Sequence, residues 1–343
     1  MNELEFIASV RRRMRSIPSC GEGIGDDCAI MPQDDGMAMV VTCDMLTEGV
    51  HFRLDTTTPR LLGHKALAVN LSDVASMGAS PVASFMSIAR PGTLSDSWCD
   101  SFIDGYASLS ERFGVPLMGG DTTASEHGLA ISVTLIGRAR YDHLKRRSAA
   151  EDSDVIMVGG TLGDSAAGLR LLQHNSALAH ELGLDVADAP VTACPKDARL
   201  APLVEAHLSP MPQTLEGRWL GERCEVHAMT DISDGIAKDL RQITDMSAVG
   251  ASVELSQVPL SQELTEYCLS EGVDPVRMAL CGGEDYKLLF TVDSRKVDRL
   301  TSDFRARFGY EPVAIGRITQ GEGIEWLRCG VPTDEIFSGY VHE

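Results

Sequence analysis

The chain has 343 residues, more than the roughly 250–300 at which one hydrophobic core stops growing, so two domains are expected and a single small module is excluded. Apolar residues make up 43% and charged residues 23%, which fits a globular protein and excludes a fibrous or wholly disordered one. The 50 acidic side chains outnumber 30 basic ones for a net charge of −20, a field that repels nucleic acid and anionic membranes.

In chain order, apolar spacing predicts a helix over residues 2–14, a short buried strand over 37–42 and a helix over 60–76 that stops before Gly78. A strand over 81–89 and a helix from an N-cap at Ser95 to Phe113 follow. Strands at 115–118 and 129–136 are separated by Gly119-Gly120-Asp121 and a polar loop. Residues 141–153 are polar and without apolar period, so they read as a linker between a first domain, 1–140, and a second, 154–343. The second domain opens with a strand at 155–158, a glycine turn at 159–163 and a helix at 165–172 capped by Asp164. A strand at 226–230, a helix at 236–246, a strand at 287–292 and a helix at 294–307 complete a mixed α and β pattern, while 174–195 has no assignable period.

No apolar run approaches the roughly 20 residues of a membrane helix, and the basic cluster Arg11–Arg15 is not followed by the apolar stretch of a secretory signal. Nine cysteines, at 20, 28, 43, 99, 194, 224, 268, 281 and 329, form no C-x-x-C pair and read as reduced thiols. The expectation is a cytoplasmic protein. No two of the 9 histidines stand at H-x-x-x-H spacing, which disfavours zinc.

The acids are placed with more pattern than their number requires. Five short segments put a carboxylate after an expected strand or in a glycine turn: Gly25-Asp26-Asp27, Thr42-Cys43-Asp44, Gly119-Gly120-Asp121, Asp231-Ile232-Ser233-Asp234-Gly235 and Gly282-Gly283-Glu284-Asp285. A sixth acid, Asp73, lies in the 60–76 helix. Any one of these alone reads as a turn or helix cap. Together they would crowd at strand ends, where ligands bind in α/β sheets, and would repel one another without cations between them. Oxygen donors without His or Cys select a hard ion, and Mg²⁺ takes carboxylates plus substrate phosphates. The Walker A loop, the dinucleotide glycine fingerprint and the protein-kinase motifs are all missing. The strand–glycine–helix unit over 155–165 presents backbone N–H groups that suit an anion or serve as a plain joint.

At these residues the chain resembles the thiamine-monophosphate kinase family, within the aminoimidazole ribonucleotide synthetase superfamily. The resemblance runs through Gly23-Ile24-Gly25-Asp26-Asp27, Gly49-Val50-His51-Phe52, the segment Lys65–Asp73, Met118–Thr123, Gly163–Gly168, Asp231–Gly235, Gly282–Tyr286 and Gly339-Tyr340. It implies two α/β domains, with the N-terminal sheet pairing with its copy in a homodimer to form a β-barrel, and ATP-dependent phosphorylation of thiamine monophosphate on several Mg²⁺ ions. Carried over by position, it makes Asp27, Asp44, Asp73, Asp121 and Asp231 metal ligands, with Asp234 serving a further ion. Thr42 and Cys43 fall on metal positions too. Cys43 stands where the family often has a hydroxyl, which leaves its backbone carbonyl as the ligand and its thiol as a small buried side chain. For ATP the resemblance implies Tyr106, Gly120, Asp121, Arg147 and Ser233, and for the thiamine half His51, Glu284 and Phe337. It assigns no general base. Other ATP-dependent enzymes of the superfamily, or a silent nucleotide-binding protein, are the competing readings.

Overall fold

A computed structural model of the chain describes residues 3–13, 21–184 and 198–340. Cys20, Cys194, the ends of the first expected helix and part of the unassigned 174–195 stretch lie outside the described residues. After α1 (Glu3–Arg13), the first sheet holds β1 (Ala29–Pro32), β2 (Met37–Thr47), β3 (Ser80–Arg90), β4 (Leu117–Ala124) and β5 (Ala130–Arg140). Helix α2 (Pro59–Ser76) joins β2 to β3, and α3 (Asp96–Phe113) joins β3 to β4. The strand order is β1-β2-β5-β3-β4, with only β3 and β4 parallel, and the described strands form an open sheet rather than a closed barrel.

Two expected boundaries move, for a common reason. Strand β2 runs on past Thr42 because it pairs with β5 over eleven residues, from Met37 opposite Arg140 to Thr47 opposite Ala130. The expected 115–118 strand instead begins at Leu117 and continues through Gly119-Gly120-Asp121, because that stretch pairs with β3. Gly120 permits this approach: a Cβ there would lie 1.7 Å from the Met86 carbonyl oxygen. Both cases show a ladder overriding a local turn signal.

The second sheet contains β6 (Val155–Val158), β7 (Val226–Asp231), β8 (Gly250–Glu254), β9 (Leu288–Val292), β10 (Val313–Thr319), β11 (Gly323–Arg328) and β12 (Val331–Pro332). Their order is β12-β11-β8-β10-β6-β9-β7, with one parallel pair, β8–β11. Helices α4 (Asp164–His174), α5 (Leu178–Glu181), α6 (Ala201–Leu208), α7 (Thr214–Gly221), α8 (Ile236–Ser247), α9 (Gln262–Glu271), α10 (Pro275–Cys281) and α11 (Val297–Phe308) surround it. One face packs on α8 and α10 through Ile156, Val158, Leu240, Ile243 and Leu280. The other face meets α11 through Phe290, Leu300 and Phe304. The expected Asp164 cap is corrected: the helix N-cap is Gly163, and Asp164 sits inside, accepting from Thr161 Oγ1 at 2.8 Å.

Helix α2 ties the halves together. Thr58 caps it by accepting from the Leu61 N–H, and Pro59 occupies its first turn, where its missing N–H is harmless. Fourteen of its 18 residues are buried, as expected of a helix apolar on most sides. Leu67, Leu71 and Val74 join the first core, Leu61 packs with α4 and α6, and Ala75 enters the core beneath the second sheet. No described helix is long and apolar enough to cross a membrane.

Candidate active site

A buried helix spends polar side chains only where they find partners, and α2 carries four of them, Asn70, Ser72, Asp73 and Ser76, along one stretch. Asp73 lies within 4.8 Å of both Asp27 and Asp231, carboxylate oxygen to carboxylate oxygen. Ser72 Oγ donates to Asp231 at 2.5 Å, Ser76 Oγ donates to Asp27 at 2.5 Å, and Asn70 Oδ1 accepts from the Asp44 backbone N–H at 3.2 Å. Thr42 Oγ1 donates to Asp73. Asp27 comes from the loop before β1, Asp44 from the middle of β2, Asp73 from α2 and Asp231 from the end of β7. The acids therefore meet between two sheets, not along one sheet edge as the strand-end argument expected.

Burial and mutual repulsion show in their ionisation. Burial, with the Asp27 charge added, lifts Asp44 to about 6 and Asp231 to about 7. Asp73, buried among Asp44, Asp231 and Asp27, is raised well above the carboxylate range. A donor set made only of converging, crowded carboxylates fits a hard divalent cation.

One arginine reaches the cluster from the expected linker. Arg147 pairs with Asp27, and its Nε donates to Thr230 Oγ1 at 3.1 Å. The 141–153 stretch is not a loose tether. Lys145 is buried, with Nζ donating at 2.8 Å to the carbonyls of Arg223 and Val226, and burial lowers it to about 8. Arg146 forks onto Glu22, and Asp26 accepts from the Arg147 N–H at 2.8 Å. Asp26 thus orients the arginine beside it. The three basic side chains Lys145, Arg146 and Arg147 of this segment are thus spent on docking.

A cleft of about 700 Å³ opens beside the cluster. Asp44, Asp73, His51, Ser233, Asp234 and Glu284 line it, six of the side chains singled out by sequence. Glu284 and Tyr286 hold positive φ, +62° and +49°, although neither is glycine. The strained turn is fixed by backbone bonds from Glu284 N to Ser233 O and from Tyr286 N to Ile232 O, at 2.8 and 2.9 Å. Lys65 Nζ lies 2.8 Å from Glu284 Oε1 and His207 Nδ1 lies 3.2 Å from Oε2. Burial opposes ionisation of Glu284, but Lys65 and His207 outweigh it and hold the carboxyl below its usual range. Asp285 points elsewhere: it accepts from the Gly163 N–H at 2.8 Å and so caps α4, occupying the glycine turn that sequence offered to an anion.

Other expected positions are placed apart. In register, Asp121 lies opposite Ser87, which pairs with Ser132 and through it with Met45, a row on the exposed face of the sheet. Asp44 belongs to the adjoining row, with buried Val133 and Met86, on the α2 side. Asp121 is three strands away as well, about 14 Å at the usual spacing. The Cys43 thiol is exposed on that outer face, against Ser132 and Thr134 of β5, and is neither buried nor aimed at the acids. Tyr106 is 2% exposed in the first core, its hydroxyl donating to Ser84. Phe337 is also a core residue, edge-on to Trp326 at 5.2 Å with Arg277 over its ring, and does not line the cleft. Tyr340, whose N–H donates to Asp234 O at 2.9 Å, is the C-terminal aromatic that does. Sequence reading gave no site role to Lys65, Asn70 and Ser72, although they lie in the Lys65–Asp73 segment, nor to Ser76 and His207. The signal available was polar residues in an otherwise apolar helix.

Comparison with known proteins places the chain in a family. The model of the AIR synthase related protein family, N-terminal domain, matches residues 25–139, and that of its C-terminal domain matches residues 151–326. Thiamine-monophosphate kinase of Escherichia coli (strain K12) is 36% identical, the match covering 99% of this chain and 98% of that protein. Among solved structures, AaThiL complexed with AMPPCP and TMP superposes with a TM-score of 0.82 at 30% identity, covering 100% of this chain and 97% of that one. Thiamine-monophosphate kinase from Stenotrophomonas maltophilia K279a gives a TM-score of 0.75 at 34% identity, covering 96% and 98%.

Proposed function

Since the chain belongs to the thiamine-monophosphate kinase family of AIR synthase related proteins, we propose that its cleft transfers the γ-phosphoryl group of ATP to thiamine monophosphate, yielding thiamine diphosphate and ADP. The observation that carries this reading is the junction of Asp27, Asp44, Asp73 and Asp231 opening onto a cleft large enough for a small organic phosphate. The relative that superposes over the full chain was solved with a nucleotide analogue and TMP.

The barrier is electrostatic. Two dianionic phosphates about 5 Å apart repel by about 13 kcal/mol at an effective dielectric of about 20, far above the roughly 1 kcal/mol net worth of one hydrogen bond. Mg²⁺ ions held on Asp27, Asp44, Asp73 and Asp231, with Asp234 and the backbone carbonyls of Thr42 or Cys43 as further donors, would offset that charge and align donor with acceptor. The protein supplies the rest. Ser72, Ser76 and Thr42 fix the rotamers of the acids, so the donor set is assembled before ligands arrive. Arg147 places a fixed guanidinium at the cluster, suited to a phosphate oxygen. The attacking oxygen belongs to a phosphate monoester, ionised at neutral pH since its second pKa is about 6, so no side chain need remove a proton.

At the other end of the cleft, Glu284 and His51 face the heterocyclic half of the substrate, and Tyr340 offers the ring for a cationic thiazolium. Phe337 acts through packing, holding the C-terminal segment that delivers Tyr340. Ser233 lies beside the nucleotide phosphates on this reading. The exposed face of the first sheet carries Met45 and Phe85, and its edge strand exposes Leu117 and Met118, an apolar surface suited to a second copy of the chain. A homodimer there, closing the sheets into a barrel, would enclose Gly120 and Asp121 and give them access to nucleotide. Tyr106 then supports the sheet from its core side. The same reading carries the division at 141–153 and a cytoplasmic location.

Incubation of the purified protein with ATP, Mg²⁺ and thiamine monophosphate is expected to release thiamine diphosphate, and free thiamine to remain unphosphorylated. Absence of the diphosphate at saturating substrate would refute the assignment.

A further inference from the structure

We propose that Lys65 and His207 are positioning residues that clamp the Glu284 carboxylate from behind, so that its free lone pairs face the amino-bearing heterocycle of the substrate; this rests on the function proposed above. Lys65 lies on α2 two turns before Asp73, and its side chain is 3% exposed. A lysine so enclosed needs an ionic partner. Among the described residues Glu284 is that partner, at 2.8 Å.

His207, on α6, holds the second oxygen. Its Nδ1 lies 3.2 Å from Glu284 Oε2 and 3.1 Å from Ser165 Oγ. Burial, reinforced by Lys65, pushes the ring down to about 3, so it is neutral at physiological pH. A lone pair on Nδ1 would face a carboxylate oxygen, so the tautomer set by these contacts carries its proton on Nδ1, hydrogen-bonded with Ser165 Oγ and lying against Glu284 Oε2. Oε1 is thus held by Lys65 of α2, with the Tyr286 hydroxyl donating to it more distantly at 3.5 Å, and Oε2 lies against His207 of α6. An ionised carboxyl has about four acceptor sites, and those left over open toward the cleft that Glu284 lines. The strained backbone at Glu284 fixes the side chain's root as the two partners fix its end. A clamped carboxylate loses little rotamer freedom when it binds, which lowers the cost of recognition at this end of the substrate. The clamp and the metal cluster share α2, so both ends of the cleft are referenced to one rigid element.

Steady-state kinetics of the full-length protein with ATP, Mg²⁺ and thiamine monophosphate tests this in four forms: wild type, Lys65→Met, Glu284→Gln and the double variant. Lys65→Met is expected to raise the KM for thiamine monophosphate about tenfold or more while the KM for ATP stays within about twofold. The double variant is expected to match Glu284→Gln, because Lys65 acts through that carboxylate. Equal rises in both KM values, an unchanged KM for thiamine monophosphate, or fully multiplicative effects in the double variant would overturn the clamp. Should Lys65→Met fail to fold, His207→Gln tests the same point by the same KM split, with equal or absent shifts counting against it. A wild type without turnover overturns the substrate reading itself, whereas an active wild type with unshifted variants overturns only the clamp.

Discussion

Asp231 shows how the acids of this site balance opposing pressures. Its carboxylate accepts from Ser72 at 2.5 Å, which favours ionisation, yet burial and the neighbouring Asp27 prevail and raise it from 3.8 to about 7. Folding therefore takes up a proton at this group between those values, and the stability it contributes is present at low pH and lost as pH rises through about 7. His207 works in the opposite sense, since it is depressed to about 3 and remains neutral where the unfolded ring would be charged. Comparing native protein with Asp231→Asn cancels the histidine. In metal-free buffer the native Tm is expected to fall relative to the variant as pH goes from about 4 to about 8, and added Mg²⁺ to restore it most at the alkaline end. A Tm difference independent of pH would show that the carboxyl is not shifted. For Asp44→Asn, kcat should drop about a hundredfold or more while the metal-free Tm holds or rises, because a ligand and a buried like charge are removed together. Near-normal turnover in saturating Mg²⁺ would remove Asp44 from the metal site.

Helix α2 is the element on which the site is registered, and its neighbours hold it there by close approach. Gly217 on α7 lets the two helices touch: a Cβ at this position would lie 2.2 Å from the Ala75 carbonyl oxygen. Gly217→Ala should therefore cost about 1–3 kcal/mol and weaken Mg²⁺-dependent stabilisation, since Ala75 is two residues from Asp73. Calorimetry with and without Mg²⁺ checks both, and an unchanged Tm would show that α7 does not press on α2. Helix α4 depends on a cap borrowed from another turn. Loss of the Asp285 carboxylate in Asp285→Ala leaves the Gly163 N–H without its partner, at an expected cost of about 1–2 kcal/mol. A denaturant midpoint unmoved by that change, with Mg²⁺ dependence abolished, would instead make Asp285 a metal contact.

Taken together, the two sheets form a cleft whose charge is out of proportion to its counter-charges. With a net charge of −20 overall and Arg147 at the acid junction, binding two anionic substrates demands external cations. The apolar outer face of the first sheet poses a separate requirement, because an exposed edge strand beside Phe85 invites pairing. Light scattering of the wild type should give a dimer, and Met118→Lys on the edge strand should shift it toward monomer. A monomeric wild type at micromolar concentration would remove the dimer and, with it, the route by which Gly120 and Asp121 reach nucleotide.

The order of acidic and glycine motifs along the chain was enough to give the family and the phosphate chemistry, and it pointed to Asp27, Asp73 and Asp231, which the fold brings together, because acidic and glycine motifs are local signals. Helix α2 was equally legible, since its apolar run, Thr58 cap and Pro59 are all contained in one segment. What local pattern could not supply was direction. Asp44 and Asp121 look alike in sequence, but pairing with β5 turns Asp44 toward α2, while pairing with β3 leaves Asp121 on the outer face. Phe337 and Tyr340 stand three residues apart, and packing against Trp326 sent the first into the core and left the second for the cleft. Lys65 and His207 acquired their meaning only when Glu284 was placed between them from a third element. A side chain's identity is written in the chain, but its partner is chosen by strand register and helix packing, which depend on residues far away.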